Sequence, residues 1–221
     1  MPSVVQHNDN EANYGSSSPQ TVALNGTTAG NLIVVIVANQ GSPDPPGFQT
    51  PTDGVNTYHP CPNASGDDGV TNMEMYYAPN IAGGNVTISV SFTSSSAYIA
   101  IYAFELNGCD TYDNGAFGAA QSSTANATTP SFNLSYANEI IIAATINSNS
   151  ATSQGPGYTL IEITSSFEDC LEYMIAGAGS ETATAILSGS SQNWGIVAGA
   201  FYKATSTSVV LPTDAVFYGM T

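Results

Sequence analysis

Leu32-Ile33-Val34-Val35-Ile36-Val37-Ala38 is seven apolar residues in succession, five of them β-branched. That is a strand's length, and continuous apolar character is what a strand needs when both of its faces are covered. A second stretch decides the rest of the reading. Val86, Ile88, Val90 and Phe92 alternate with Thr87, Ser89, Ser91 and Thr93. This period of two predicts a strand buried on one face only. Tyr98 to Phe104, Ile140 to Ala144 and Trp194 to Tyr202 extend the set of apolar strands. Weaker strands are expected near Ser3–His7, Thr21–Leu24, Met73–Tyr77, Ser131–Leu134, Tyr158–Ile163, Leu171–Ile175 and Thr182–Leu187.

Turn signals separate these runs: Asn25-Gly26, Gly83-Gly84-Asn85, Asn107-Gly108, Asn114-Gly115, Gly155-Pro156-Gly157 and Ser188-Gly189-Ser190. No amphipathic helix fits between them. Roughly ten to twelve short strands at this spacing predict an all-β fold, an antiparallel β-sandwich of jelly-roll type. Gly41 to Asn56 and His59 to Asn72 read as loops, because proline removes a ladder donor and is excluded from central strands. Residues 1–203 are expected to form the sandwich. Residues 204–221 read as a C-terminal arm or an extra strand. Its apolar side chains Val209, Val210, Leu211, Val216, Phe217 and Tyr218 need a cover, either their own sheet or a neighbouring subunit.

The chain has one lysine, no arginine and seventeen carboxylates among 221 residues, for a net charge of -16, yet only 8 % of its residues are charged. With almost no cation to release counterions from phosphate, nucleic acid is excluded as a partner. Hydrophobic residues make up 42 % of the chain, enough for a real core. No apolar run reaches the roughly 18–20 residues of a membrane helix, so membrane insertion is not expected. Met1-Pro2-Ser3-Val4-Val5-Gln6-His7 lacks the basic and apolar regions of a signal peptide. Either a signal has been removed, or the protein is not exported by that route. Cys61, Cys109 and Cys170 are widely spaced. They fit three buried thiols, or one disulfide with one free thiol.

Three segments carry a further likeness. They are Thr28-Ala29-Gly30-Asn31 before the first apolar strand, Thr52-Asp53-Gly54-Val55-Asn56-Thr57-Tyr58, and Tyr76-Tyr77-Ala78-Pro79-Asn80-Ile81-Ala82-Gly83-Gly84. Phe104-Glu105-Leu106-Asn107-Gly108, Asn138-Glu139-Ile140-Ile141 and Trp194 fit the same pattern. In these the chain, over about residues 3–203, resembles β-sandwich domains of bacterial extracellular and phage-associated surface proteins. It departs from them at Gly54-Val55-Asn56. The resemblance implies a sandwich fold and an extracellular or virion setting. It carries over no catalytic residue.

Candidate chemistry is sparse. His7 and His59 are the only histidines, and no G-x-S-x-G elbow accompanies them. Glu105, Glu139, Glu162, Glu168 and Glu172 are the glutamates in strand-like surroundings. A glycosidase needs two such carboxylates across a cleft, but Trp194 reads as core rather than a sugar platform. Asp67-Asp68 and Asp110 with Asp113-Asn114 are candidate calcium ligands. Loop aspartates also favour turns for local reasons, and that reading is preferred here. Five N-x-S/T sequons, at Asn25, Asn63, Asn85, Asn126 and Asn133, mark a polar surface. No catalytic, cofactor or metal residue is assigned.

The expectation is a non-enzymatic structural surface protein. It fits best a phage virion component, a capsid decoration or cement protein or a fibre module, at the virion surface or outside the cell. Its partners would be copies of itself and a major capsid or fibre protein. The alternative is a secreted adhesin or carbohydrate-binding module that meets a surface glycan through its Pro-rich loops.

Overall fold

The structure, a computed structural model, describes residues 1–12, 18–41, 47–93 and 98–204. Seventeen strands account for its regular structure, and none of the described residues is helical. The expected all-β antiparallel sandwich is present.

The first half of the chain supplies β1 (Ser3–Ala12), β2 (Gln20–Thr27), β3 (Leu32–Gln40), β4 (His59–Asp67), β5 (Thr71–Ala78), β6 (Gly84–Val90) and β7 (Tyr98–Asn107). They form a five-stranded sheet in the order β1-β7-β3-β5-β4, backed by a two-stranded β2-β6 sheet. The second half supplies β8 (Thr111–Ser123), β9 (Ala127–Thr128), β10 (Phe132–Leu134), β11 (Glu139–Asn147), β12 (Ala151–Ser153), β13 (Thr159–Ile163), β14 (Cys170–Ala176), β15 (Gly179–Glu181), β16 (Thr184–Leu187) and β17 (Gln192–Tyr202). Its five-stranded sheet, read from the β8 edge, runs β8-β17-β11-β14-β13. Strand for strand, that order repeats the first sheet. Here the backing layer is split into the β12-β16-β9 and β10-β15 ribbons. The two halves of the chain therefore share one strand order, a repeat that the sequence does not display.

The two five-stranded sheets pack face to face, which explains the apolar run that opened the reading. Leu32, Val34, Ile36 and Ala38 of β3 enter a central core together with Ile140, Ile142, Ala144 and Ile146 of β11. Ile33, Val35 and Val37 face the other way, onto Val22, Leu24, Val86, Ile88 and Val90 of the β2-β6 layer. Ile141 and Ala143 do the same for the second half, against Phe132, Ala185 and Leu187. Both central strands are wholly buried because each lies inside a four-layer stack. Strand β6 is covered on one face only, and its burial alternates accordingly.

Three loop and turn expectations are corrected, Asn25-Gly26 among them, since it lies inside β2 at the irregularity between Leu24 and Thr27. The stretch from His59 contains β4, which lies at the edge of its sheet. An edge strand tolerates Pro60 and Pro62, and its pairing with β5 is interrupted between Pro60 and Ser65. Asn114-Gly115 is not a turn but lies inside β8. A Cβ on Gly115 would stand 2.3 Å from the Ala198 carbonyl oxygen, so glycine serves close packing there. The apolar residues Val209, Val210, Leu211, Val216, Phe217 and Tyr218 lie outside the described residues.

Glycines also set how closely the halves approach. A Cβ on Gly195 would lie 2.5 Å from Thr71 Cγ2, and one on Gly199 2.4 Å from Met75 Sδ. Strand β5 therefore sits hard against β17. On the opposite flank the corresponding faces are polar, and β1 shows how they are divided. Gln6, Asn8 and Asn10 donate their side-chain amides to the carbonyls of Asn25, Ala23 and Thr21 on β2, at 3.1, 2.8 and 2.7 Å. These amides stand in for a backbone ladder where the edges of two layers meet. His7, between Gln6 and Asn8, and Glu11, just beyond Asn10, reach the second half of the chain instead.

Candidate functional site

The histidines and carboxylates singled out in the sequence are distributed over scaffold positions. Glu105 is fully buried. It accepts hydrogen bonds from the Thr28 amide at 2.7 Å, the Asn31 side chain at 2.6 Å and the Gln6 side chain at 2.7 Å. Every partner is a donor, so the carboxylate locks the turn into β3. Glu139 occupies the equivalent turn in the second half and accepts the Tyr136 amide at 2.7 Å. Burial pushes the Glu139 carboxyl up to about 7, and the charge of neighbouring Asp113 adds to this against the bond from Tyr136. Glu172 accepts the Gly155 amide at 2.8 Å, and burial pushes its carboxyl up to about 7. Glu168 accepts from the Ser150 hydroxyl.

The calcium candidates are engaged in turns. Asp67 Oδ1 accepts the Gly69 amide, and Asp68 Oδ1 those of Val70 and Thr71, which closes the β4–β5 connection. Asp110 pairs with Lys203 at 2.7 Å and caps the Ala204 amide. Asp113 accepts the Ser135 amide. Asp53 ties down its own turn through the amides of Val55 and Asn56, the Asn56 side chain and the Tyr58 hydroxyl. Burial pushes the Asp53 carboxyl up, but these bonds outweigh it and leave it below 3.8. Cys61, Cys109 and Cys170 are free, buried thiols, and burial pushes Cys109 up to about 12. Trp194 is buried in the outer core of the second half.

Two places gather polar groups beyond such local work. The first is the polar flank between the halves. His7 Nε2 lies 2.9 Å from Glu162 Oε2. Glu11 accepts the amides of Ser166 and Phe167 at 3.0 and 2.9 Å. Beneath them Asp169, wholly buried, accepts the Tyr102 hydroxyl at 2.6 Å and the Asn147 amide at 2.8 Å. Burial raises the Asp169 carboxyl well above its usual range; the Tyr102 bond opposes this, and the Glu11 charge reinforces it. Burial likewise raises Asp9 and Glu11. A cavity of about 380 Å³ opens at the end of this flank, among Gln40, Tyr98, Asn147, Asn149, Ser166 and Phe167. The carboxylates hold its 164–168 wall in place.

The second is an open groove of about 500 Å³ between β4, β8 and the run 130–133, lined by Asn63, Ser65, Asn114, Phe117, Ser131 and Asn133 among others. Asn63 has φ 66° in the unpaired stretch of β4, and its side chain donates to Asn114 Oδ1 at 3.2 Å. Asn114 donates in turn to the Asn133 carbonyl at 3.1 Å. Of these residues the sequence singled out Asn114, as a candidate calcium ligand, and Asn63 and Asn133, as sequon starts marking polar surface; it did not bring them together. A further linear signal is Asn63 after Pro62, since asparagine tolerates the left-handed conformation that a bulge demands.

Comparisons with protein-family models, with curated proteins and with solved structures return no match.

Proposed function

We propose that this chain is a non-enzymatic structural surface protein, a virion component of the capsid-decoration or fibre type that assembles with copies of itself or with a capsid or fibre protein. The observation that carries this reading is where the chain uses its acid–base groups. Glu105, Glu139 and Glu172 each accept a backbone amide of a turn or loop. Asp169 joins the two halves through Tyr102 and Asn147. Glu105 in particular is saturated by structural donors, which makes it a poor proton shuttle. The surface between these sites is carried by amides and hydroxyls, and in a chain of net charge -16 with a single cation it avoids genome and anionic envelope alike.

The proposed assembly element is the apolar segment Val209 to Tyr218. Deletion of residues 205–221 tests it. The expected result is a truncated protein that keeps its cooperative unfolding transition but no longer forms oligomers or attaches to particles, as read by analytical ultracentrifugation and co-sedimentation. Normal assembly of the truncated chain would overturn the assignment of this segment. Absence of the protein from purified particles would overturn the virion reading.

A further inference from the structure

We propose that the groove between β4, β8 and residues 130–133 binds a short segment of a neutral glycan. This goes beyond the structural role and does not depend on it.

The first argument is chemical. In a chain with seventeen carboxylates, the residues lining this groove carry no charge. They present the amides of Asn63, Asn114 and Asn133, the hydroxyls of Ser65 and Ser131, and the ring of Phe117. An anionic sugar would meet no cation there, and an amine would meet no carboxylate. A neutral sugar ring offers neighbouring hydroxyls, each a donor and an acceptor, and a C–H face. An amide answers the first with one donor and one acceptor group, and an aromatic ring answers the second. The volume of about 500 Å³ lies within the roughly 300–1,000 Å³ of small-ligand sites.

The second argument is that the groove is built. Pairing of β4 with β5 lapses between Pro60 and Ser65, and Asn63 takes a left-handed φ of 66°. In this conformation the Asn63 amide turns onto Asn114. The chain of bonds from Asn63 through Asn114 to the Asn133 carbonyl fixes the Asn114 amide in one orientation. The Asn63 carbonyl group and the Asn133 amide stay exposed to receive a ligand. Gly66 shapes the floor. A Cβ there would lie 2.0 Å from Phe117 Cδ1, so glycine lets the ring come close to the β4 backbone. Preorganised polar groups over an aromatic floor bind without first paying to order themselves.

The test uses the full chain, made without glycosylation, on an array of immobilised neutral oligosaccharides (glucans, mannans, galactans and N-acetylglucosamine oligomers) printed beside sialylated and sulfated ones. The expected result is retention on at least one neutral class and none on the anionic glycans. Asn63→Gly removes the amide while keeping the backbone conformation, and Asn133→Ala removes the exposed amide. Each is expected to weaken the retained interaction by tenfold or more while the thermal transition stays within a few degrees of wild type. No retention on any neutral glycan overturns the proposal, as does retention confined to anionic glycans. Retention that both variants leave unchanged places the sugar elsewhere and overturns it too.

Discussion

Replacing Glu172 by glutamine should remove a loss of stability with rising pH at one site. Glu172 is 1 % exposed. Its Oε2 accepts the Gly155 amide at 2.8 Å, while its Oε1 is buried without a partner. Burial moves its carboxyl from 4.5 to about 7. The unfolded chain ionises this group near the lower value, and the folded chain keeps it protonated up to the higher one. Between them the folded state binds the extra proton, so stability is fully present below about pH 4.5 and is lost as pH rises through 7. At about 1.36 kcal/mol per pH unit, the loss amounts to about 3 kcal/mol. Glutamine has no proton to lose and still accepts from Gly155. Its amino group takes the place of the orphaned Oε1, at a cost of about 1 kcal/mol. The variant should therefore be about 1 kcal/mol less stable than wild type at pH 4.5 and about 2 kcal/mol more stable at pH 8. Urea unfolding across that range, followed by tryptophan fluorescence and circular dichroism, should give two curves that cross. Parallel curves would refute the reasoning. Burial also raises the carboxyls of Asp9, Glu11, Glu139 and Asp169, so the wild-type protein should be most stable in mild acid.

Gly195→Ala should cost about 1–3 kcal/mol by overpacking Thr71, and Thr71→Ser, which removes the clashing Cγ2, should recover most of it; a double-mutant cycle with no coupling would place the glycine's role elsewhere. Glu105→Gln should cost about 1–3 kcal/mol, because an amide NH₂ would face one of three donors aimed at the carboxylate, and an unchanged thermal midpoint would show that the turn into β3 does not rely on it.

The strands themselves were legible because their patterns are local. Leu32–Ala38 reads as covered on both faces, and Val86–Phe92 as covered on one. Burial follows both patterns, since side chains alternate across any strand. Strand β4 was missed because its prolines argue against a central strand, and only its place at the sheet edge excuses them. Asn114-Gly115 has the composition of a tight turn, and its true setting is visible only once Ala198 of β17 is seen beside it. The groove was hidden for the same reason. Asn63, Asn114 and Asn133 come from three separate segments, and an isolated asparagine in a chain rich in asparagine carries no signal.

The sequence by itself determined that the chain is all-β, which runs lie in a core, and that the chain carries a net charge of -16. These follow from periodicity and summed charge, and neither needs to know what lies opposite. Tertiary structure alone decided that the strands form two copies of one order stacked through a shared core. It decided that Glu11 meets the amides of Ser166 and Phe167, and that one flank closes on glycine while the other holds buried acids. Such pairings join residues more than a hundred positions apart. Their energies depend on distance, desolvation and the identity of the facing atom, and none of these is a property of either segment read alone.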